Sequence, residues 1–319
     1  MTSAEEPTVA FIDIGTNSIR LLLARLQPNH SYTILTELRQ IVRLGEGEFA
    51  NQHLQPEAMA RTVSVVKQFA ELARANGADD IVAVATAAAR EAANQDVFVT
   101  RLQAEAQLDV RVISGPEEAR LIYLGVSHGM HLGDQQAWFI DIGGGSTEVI
   151  IGGQHQPVYM GSLELGAIRL TTHFLPEEDG PVSLQAYEAV QRYVRHHAVR
   201  TLHEMRAYHI DLAIGSSGTI RNLADVAAHH FHKRPLQQDD VLTYAHLQQV
   251  VTLLAALSLE ERRKVPGLQP ERADIILAGA AILDVCMQEL GVTDLHVSEY
   301  GLREGLLVDY LLKHADTSS

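Results

Sequence analysis

Phe139-Ile140-Asp141-Ile142-Gly143-Gly144-Gly145-Ser146-Thr147-Glu148 is the stretch that decides the fold. An apolar run ends in an aspartate. A triple glycine follows, then two hydroxyl residues and a glutamate, and a second apolar run from Val149 to Ile151. Strand, glycine turn, strand reads as a β-hairpin. Glycine has no Cβ to block an anion, so the turn can offer backbone N–H groups at close range. An aspartate at the strand end can hold a hard divalent cation such as Mg²⁺, directly or through water.

The same pattern occurs near the N-terminus. Phe11-Ile12-Asp13-Ile14-Gly15-Thr16-Asn17-Ser18 leads into the apolar run Ile19 to Leu26. Two such hairpins predict two phosphate-facing loops, one in each half of a duplicated molecule, with a cleft between the halves. Around them the chain alternates. Strands are expected at Thr8–Ile14, Ile19–Leu26 and Tyr32–Leu38, then a helix over 55–76, the strand Ile81–Ala85, a helix over 90–106, the strand Val110–Ile113 and a helix over 116–125. The pattern then restarts with strands Ala137–Ile142, Val149–Gly152 and Pro157–Met160, a helix over 184–208 and the strand Asp211–Ile214. Beyond it the chain reads as helical, apart from the strand Leu295–Ser298. Strand triplets followed by alternating helix and strand predict an α/β fold with a mixed sheet in each lobe. The expected lobes are residues 1–125 joined by a terminal helix over 299–319, and residues 126–298. The boundary is placed in the Gly/His-rich stretch 125–133.

At 319 residues the chain is long enough for two such lobes. Cys286 is the only cysteine, which excludes an internal disulfide. It lies in an apolar helical run, Ile275 to Leu290, where a buried inert thiol is expected. No basic-then-apolar leader opens the chain and no apolar run is long enough to span a bilayer, so a cytoplasmic location away from membranes is expected. A net charge of −15 argues against a nucleic-acid surface. It accommodates a polyanion only where a few arginines and a metal make the cleft locally basic. His196-His197 and His229-His230-Phe231-His232 read as solvated helix faces rather than metal sites.

A third loop, Gly215-Ser216-Ser217-Gly218-Thr219, follows an apolar strand and opens the helix expected over 220–228. A strand, a small-residue loop and a helix N-terminus together favour an anion through free amides and the helix dipole. The loop is not a Walker P-loop, because the Gly-Lys-Ser/Thr ending is missing. Arg90, Arg169 and Arg303 each stand beside loop-like text, and guanidinium forks match phosphate oxygens. For Arg303 a surface ion pair is an equal reading, whereas Arg90, at a strand end, is expected to face the ligand. Ser114 is a candidate helix cap, and Glu117 and Glu118 follow it. Adjacent helical residues point about 100° apart, so only one of the two carboxylates can face a ligand, and composition does not choose.

The ordered set Asp13–Ser18, Ala85-Thr86-Ala87-Ala88-Ala89-Arg90, Ile113–Arg120, Asp141–Glu148, Gly215–Ile220 and Leu302-Arg303-Glu304-Gly305 resembles the exopolyphosphatase/guanosine pentaphosphate phosphohydrolase (Ppx/GppA) family along nearly the whole chain. The resemblance implies the duplicated lobes of actin, heat-shock chaperones and sugar kinases. It implies Glu118 as general base for the attacking water, and Arg90 as a phosphate contact. It implies Asp141 and Glu148, with Asp13, at the metal or its water. Phosphate is expected on Gly15, Thr16, Asn17, Ser18, Gly143, Gly144, Gly145, Ser146, Thr147, Gly215, Ser216, Ser217, Gly218 and Thr219, with Arg169 and Arg303. Mg²⁺ or Mn²⁺ is implied, with K⁺ a further candidate, and so is a homodimer. The family often places a polar residue where Ala87 stands, while the arginine is kept. The length matches the family's short members, without the helical HD-like domains that help hold long chains, so limited processivity is implied.

The expected activity is removal of terminal phosphate from inorganic polyphosphate, or of the 5′ γ-phosphate of guanosine pentaphosphate. A small-molecule kinase of the same fold is one alternative, against which the Pro116-Glu117-Glu118-Ala119-Arg120 segment speaks. A non-catalytic sensor of the alarmone or of polyphosphate is another. Binding alone would not require Glu118, Asp141 and Glu148 among so many anions.

Overall fold

A computed structural model describes residues 6–27, 31–175 and 179–315. The chain divides into one lobe of residues 1–125 with 302–319, and a second of residues 126–301. In the first lobe, β1 (Thr8–Ile14), β2 (Ser18–Leu26), β3 (Tyr32–Ile41), β4 (Asp80–Ala85) and β5 (Val110–Val112) form one sheet in the order β3-β2-β1-β4-β5. β1, β2 and β3 are antiparallel neighbours, β4 joins β1 in parallel, and β5 joins β4 in parallel. The helices Pro56–Ala75, Gln95–Ala106 and Leu302–Ala315 complete the lobe. Every residue of β1 is buried, as in a strand covered on both faces.

The second lobe repeats this plan. β6 (Ala137–Ile142), β7 (Thr147–Gly152) and β8 (Pro157–Leu163) form the antiparallel triplet, and β9 (Leu212–Ser216) joins β6 in parallel. β10 (Val241–Thr243) and β11 (Asp294–Val297) extend the sheet to the order β10-β11-β9-β6-β7-β8. The pairings β1/β2/β3/β4 and β6/β7/β8/β9 have the same senses, so the repeat read from the two hairpins is a repeat of topology. The α/β class and the duplicated lobes are therefore as expected.

Several elements differ from the sequence reading. The helix expected over 90–106 is two helices, Ala87–Glu91 and Gln95–Ala106. The helix expected to stop at 125 runs Gly115–Gly129, so the division between lobes falls within a helix and not in a loop. Gly125 and Gly129 carry no turn there: a lone glycine costs a helix only about 1 kcal/mol, which packing recovers. The stretch 229–232 belongs to a short π-helical turn, Ala228–His232, in which Phe231 stacks on His246 at 4.1 Å. That ring packing, not a solvated face, explains Phe231, while His196 and His197 are exposed as expected.

The second core centres on the helix Ile276–Leu290, whose residues from Ile276 to Met287 are all buried. It is apolar nearly all round, as a fully enclosed helix should be. Burial pushes the Cys286 thiol up to about 12, so the thiol is inert as expected. One polar residue interrupts the helix. Asp284 is buried and accepts hydrogen bonds from Tyr187 Oη (3.3 Å), Gln191 Nε2 (2.7 Å) and Tyr244 Oη (2.8 Å). These bonds tie the helices Leu184–Met205 and Tyr244–Ala255 to the central one. Burial, then the Asp284 carboxylate, pushes Tyr244 up to about 12, and Tyr187 is also raised well above its ordinary value.

Raised tyrosines hold their protons in the folded state where the unfolded chain loses them, near pH ~10. The contribution of Tyr244 is complete below that pH and is lost as pH rises through about 12. Urea midpoints are expected to fall across this alkaline window, and to fall less in Tyr244→Phe. A midpoint that is flat there, or equally steep in the variant, contradicts this assignment.

Candidate active site

In the first lobe the β1–β2 turn is closed by the Gly15 N–H donating to the Ser18 carbonyl at 3.1 Å. The turn is tied to the next strand end in two places. The Thr86 N–H donates to the Ile14 carbonyl (3.2 Å), and the Ala88 N–H donates to Thr16 Oγ1 (3.3 Å). Asn17 is buried, and among the described residues neither its Nδ2 nor its Oδ1 has a hydrogen-bond partner. An unsatisfied buried amide costs about 1–3 kcal/mol, so a group left this way in a glycine turn asks for a ligand or water.

Arg90 lies in the short helix Ala87–Glu91 that follows β4. Its Nη1 donates to the Ile113 carbonyl (3.1 Å), just past β5, and to Glu118 Oε2 (2.8 Å). The ends of three adjacent strands, β1, β4 and β5, thus bring together the hairpin, Arg90 and Glu118. Among the described residues, Nε and Nη2 of Arg90 have no protein acceptor, so that part of the fork can meet an anion. Glu117 points elsewhere. It receives Arg120 at 2.9 and 3.0 Å and Arg111 at 3.3 Å, and the Arg120 hydrogen bond holds its carboxyl below the ordinary range. The Ser114 hydroxyl accepts the Glu117 N–H at 3.3 Å, capping the helix that aims the two glutamates apart. Glu118 is the buried one.

The second lobe repeats the turn, with the Gly143 N–H on the Ser146 carbonyl at 2.9 Å. Asp141 and Glu148 lie directly opposite each other in the β6–β7 register, so their side chains share one face. Each is fixed by a hydroxyl: Ser216 Oγ donates to Asp141 Oδ2 (2.6 Å) and Ser162 Oγ to Glu148 Oε1 (2.7 Å). The glycine loop rests on the helix Ala167–Phe174. The N–H groups of Ala167, Ile168 and Arg169 donate to the carbonyls of Gly143 and Gly144. Arg169 Nε donates to the Gly145 carbonyl at 2.8 Å, so Arg169 holds the loop through its main chain. Gly215-Ser216-Ser217-Gly218-Thr219 ends β9 and begins the helix Ser217–Ala227, three residues earlier than expected. Ser217 has φ 87°, which a non-glycine residue adopts at a cost, and its buried Oγ has no partner among the described residues.

Two expected phosphate groups are committed to the protein. Thr147 donates its hydroxyl to the Leu165 carbonyl at 2.6 Å. Arg303 is paired with Glu304 (2.8 Å) and Glu37 (3.2 Å), the ion-pair alternative for this residue. Sequence reading missed Ser162, which needs the β7–β8 register to be seen opposite Glu148. It also missed Arg20, directly opposite Asp13 in β1–β2 and therefore on the same face.

Gly166 makes the loop's packing possible. A Cβ there would lie 2.3 Å from the Gly144 carbonyl oxygen and 2.4 Å from the Gly145 carbonyl carbon. Backbone cannot yield as a side chain does, so Gly166→Ala is expected to destabilise by about 1–3 kcal/mol and to displace the glycine loop. Thermal melts and phosphate release measured together check this, and a variant with wild-type melting and turnover contradicts it.

For a metal, the fit is specific but spare. Among the described residues no group of three or more His, Cys, Asp or Glu side chains is placed to hold an ion. Mg²⁺, however, usually takes one or two carboxylates and completes its shell with water and substrate phosphate. The facing, hydroxyl-fixed pair Asp141 and Glu148 matches that donor set. Asp13 is the first lobe's counterpart of Asp141.

Residues 22–314 match the Ppx/GppA phosphatase family. The chain is 35% identical over 325 aligned residues to exopolyphosphatase 2 of Mycobacterium tuberculosis, covering 93% of this chain and 97% of that protein. It is 28% identical to exopolyphosphatase 1 of Mycobacterium leprae, covering 96% and 90%. Its fold matches the crystal structure of an exopolyphosphatase from Cytophaga hutchinsonii with a TM-score of 0.89, at 27% identity and 96% and 98% coverage. It matches the Aquifex aeolicus Ppx/GppA family member with a TM-score of 0.78, at 30% identity and 97% and 98% coverage. With the two glycine hairpins, the Arg90–Glu118 pair and the Asp141–Glu148 pair in place, the chain belongs to the Ppx/GppA phosphatase family.

Proposed function

We propose that this protein is a hydrolase that releases terminal phosphate from inorganic polyphosphate. The observation that carries the reading is the Arg90 fork. One nitrogen fixes the buried Glu118 carboxylate and the Ile113 carbonyl, while the other N–H groups stay available for an anion. A positioned carboxylate beside an arginine aimed at phosphate is what attack by water on a phosphoanhydride needs. The exopolyphosphatase relatives support the substrate class.

In the reaction, water's oxygen bonds to the terminal phosphorus and its proton passes to the Glu118 carboxylate. The bridging P–O bond breaks, the shortened chain leaves as an oxyanion, and Glu118 returns the proton to solvent. Arg90 and the amides of the first hairpin hold phosphate oxygens in place, and Asn17 gains partners. Arg20, on the Asp13 face, adds a further phosphate contact. A divalent metal held by Asp141 and Glu148 would neutralise phosphate charge.

Guanosine pentaphosphate presents the same terminal anhydride and is the second substrate we propose. Phosphate release from polyphosphate, guanosine pentaphosphate, and ATP with small acceptors, assayed side by side, tests the reading. Release from the first or from both supports it. Acceptor-dependent loss of ATP phosphate points to a kinase. Binding without turnover points to a sensor.

A further inference from the structure

Between β3 and the helix Pro56–Ala75 the chain runs past the β1–β2 turn as a strap, residues 42–55, with one short helix, Glu48–Asn51. At one end the strap grips the turn. The N–H groups of Val42 and Arg43 both donate to the Asn17 carbonyl at 3.0 Å, and the Gly45 N–H donates to the Thr16 carbonyl at 3.0 Å. Gly45 sits so close that a Cβ there would lie 2.4 Å from Thr16 Cγ2. Arg43 and Gln52 take φ 51° and 54°, a conformation that costs a residue with a side chain and persists only where the surroundings impose it.

At its other end the strap grips the segment that follows Arg90. The Ala93 N–H donates to the Gln52 carbonyl at 2.9 Å. Asn94 then pairs with both main-chain groups of Leu54. The Leu54 N–H donates to Oδ1 at 2.9 Å, and Nδ2 donates to the Leu54 carbonyl at 3.0 Å. Leu54 itself is buried. Asn94 stands at the N-cap of the helix Gln95–Ala106, where asparagine is a favoured cap, yet among the described residues its side chain makes no cap hydrogen bond. An amide offers a donor and an acceptor together. Here both are committed to the strap and not to the helix.

We propose that Asn94 is a positioning residue: by fastening the strap it sets the spacing between the Thr16–Asn17 turn and Arg90, given the phosphate role proposed for both. Asn94 acts through the strap and not by contact with phosphate. The turn and the Arg90 segment also meet directly, through the Thr86 N–H on the Ile14 carbonyl and the Ala88 N–H on Thr16 Oγ1. Release of the strap should therefore shift their spacing without unfolding the lobe. A misplacement of about 1 Å at a positioned contact can cost about 100-fold in rate.

Affinity for inorganic tripolyphosphate at fixed Mg²⁺, measured by calorimetry in a Glu118→Gln background, tests this. Asn94→Ala and Asn94→Ser are each expected to weaken binding about tenfold. Serine can cap the helix but cannot make both bonds to Leu54. Its melting temperature should equal or exceed that of Asn94→Ala while its affinity stays low. A brace that matters only for stability would recover affinity together with melting. Arg90→Ala should itself weaken binding, and Asn94→Ala on top of it should cost no more than about a further twofold, because the contact that Asn94 positions is gone. Gly45→Ala, which pushes the other end of the strap off Thr16, should reproduce the loss seen in Asn94→Ala. Unchanged affinity in both Asn94 variants, recovery of affinity by serine, or a full tenfold loss added to Arg90→Ala would overturn the proposal. Turnover of polyphosphate is read separately, with Glu118 intact. Absent hydrolysis with an affinity that responds to Asn94 removes the hydrolase reading and keeps the clamp.

Discussion

Glu118→Gln is expected to lower phosphate release from polyphosphate by roughly 10²–10⁴-fold, the usual contribution of a positioned general base. Glutamine keeps the shape of the side chain and can still accept the Arg90 Nη1 hydrogen bond, so the pair's geometry should survive. What it loses is the capacity to take a proton. Substrate binding should be kept or tightened, because a negative charge beside phosphate is gone. Glu117→Gln is the matched control. Its carboxylate is engaged by Arg120 and Arg111, so its loss should cost little turnover and only a modest amount of stability. Steady-state turnover of both variants, with equilibrium binding of polyphosphate, checks the assignment. Near wild-type turnover in Glu118→Gln, or a larger defect in Glu117→Gln, would remove Glu118 from the role proposed for it.

Removal of divalent metal is expected to abolish turnover, and Mg²⁺ or Mn²⁺ to restore it. Asp141 and Glu148 are held on one face by strand register and oriented by Ser216 and Ser162. Two carboxylates brought together without a cation repel each other, and a metal relieves that cost. Asp141→Asn should therefore weaken Mg²⁺ binding, seen by calorimetry on the protein alone, as well as turnover. Undiminished hydrolysis by thoroughly metal-free protein would reject this role for the pair.

Much of this was legible in the sequence because the hairpins are local. Aspartate, glycine turn and apolar flanks lie within about ten residues, and one short loop fixes their geometry. The strand triplets followed from the same alternation, and the repeat of topology followed from them. The divergence of Glu117 and Glu118 was also readable, from helix geometry alone. Which of the two is buried was not. It depends on Arg111 and Arg120 capturing Glu117 and on Arg90 reaching Glu118 from another element. Arg20 and Ser162 were invisible for a related reason. Each is set opposite its partner, Asp13 or Glu148, only by cross-strand register, which a single sequence does not state. Thr147 read as a phosphate group because it stands beside the glycine turn, but its hydroxyl is donated to the Leu165 carbonyl, and Arg169 meets the glycine loop through Nε on the Gly145 carbonyl. The helix through 125–129 was missed because two glycines and a histidine mimic a linker, and packing overrides that weak local preference.

The central claim is that water attacks the terminal phosphorus of the chain. Hydrolysis of polyphosphate in water enriched in ¹⁸O, in a single turnover with mass analysis of both products, tests it most directly. The account predicts one ¹⁸O in each released orthophosphate and none in the shortened chain. Label at the new end of the chain, or unlabelled orthophosphate, would contradict it.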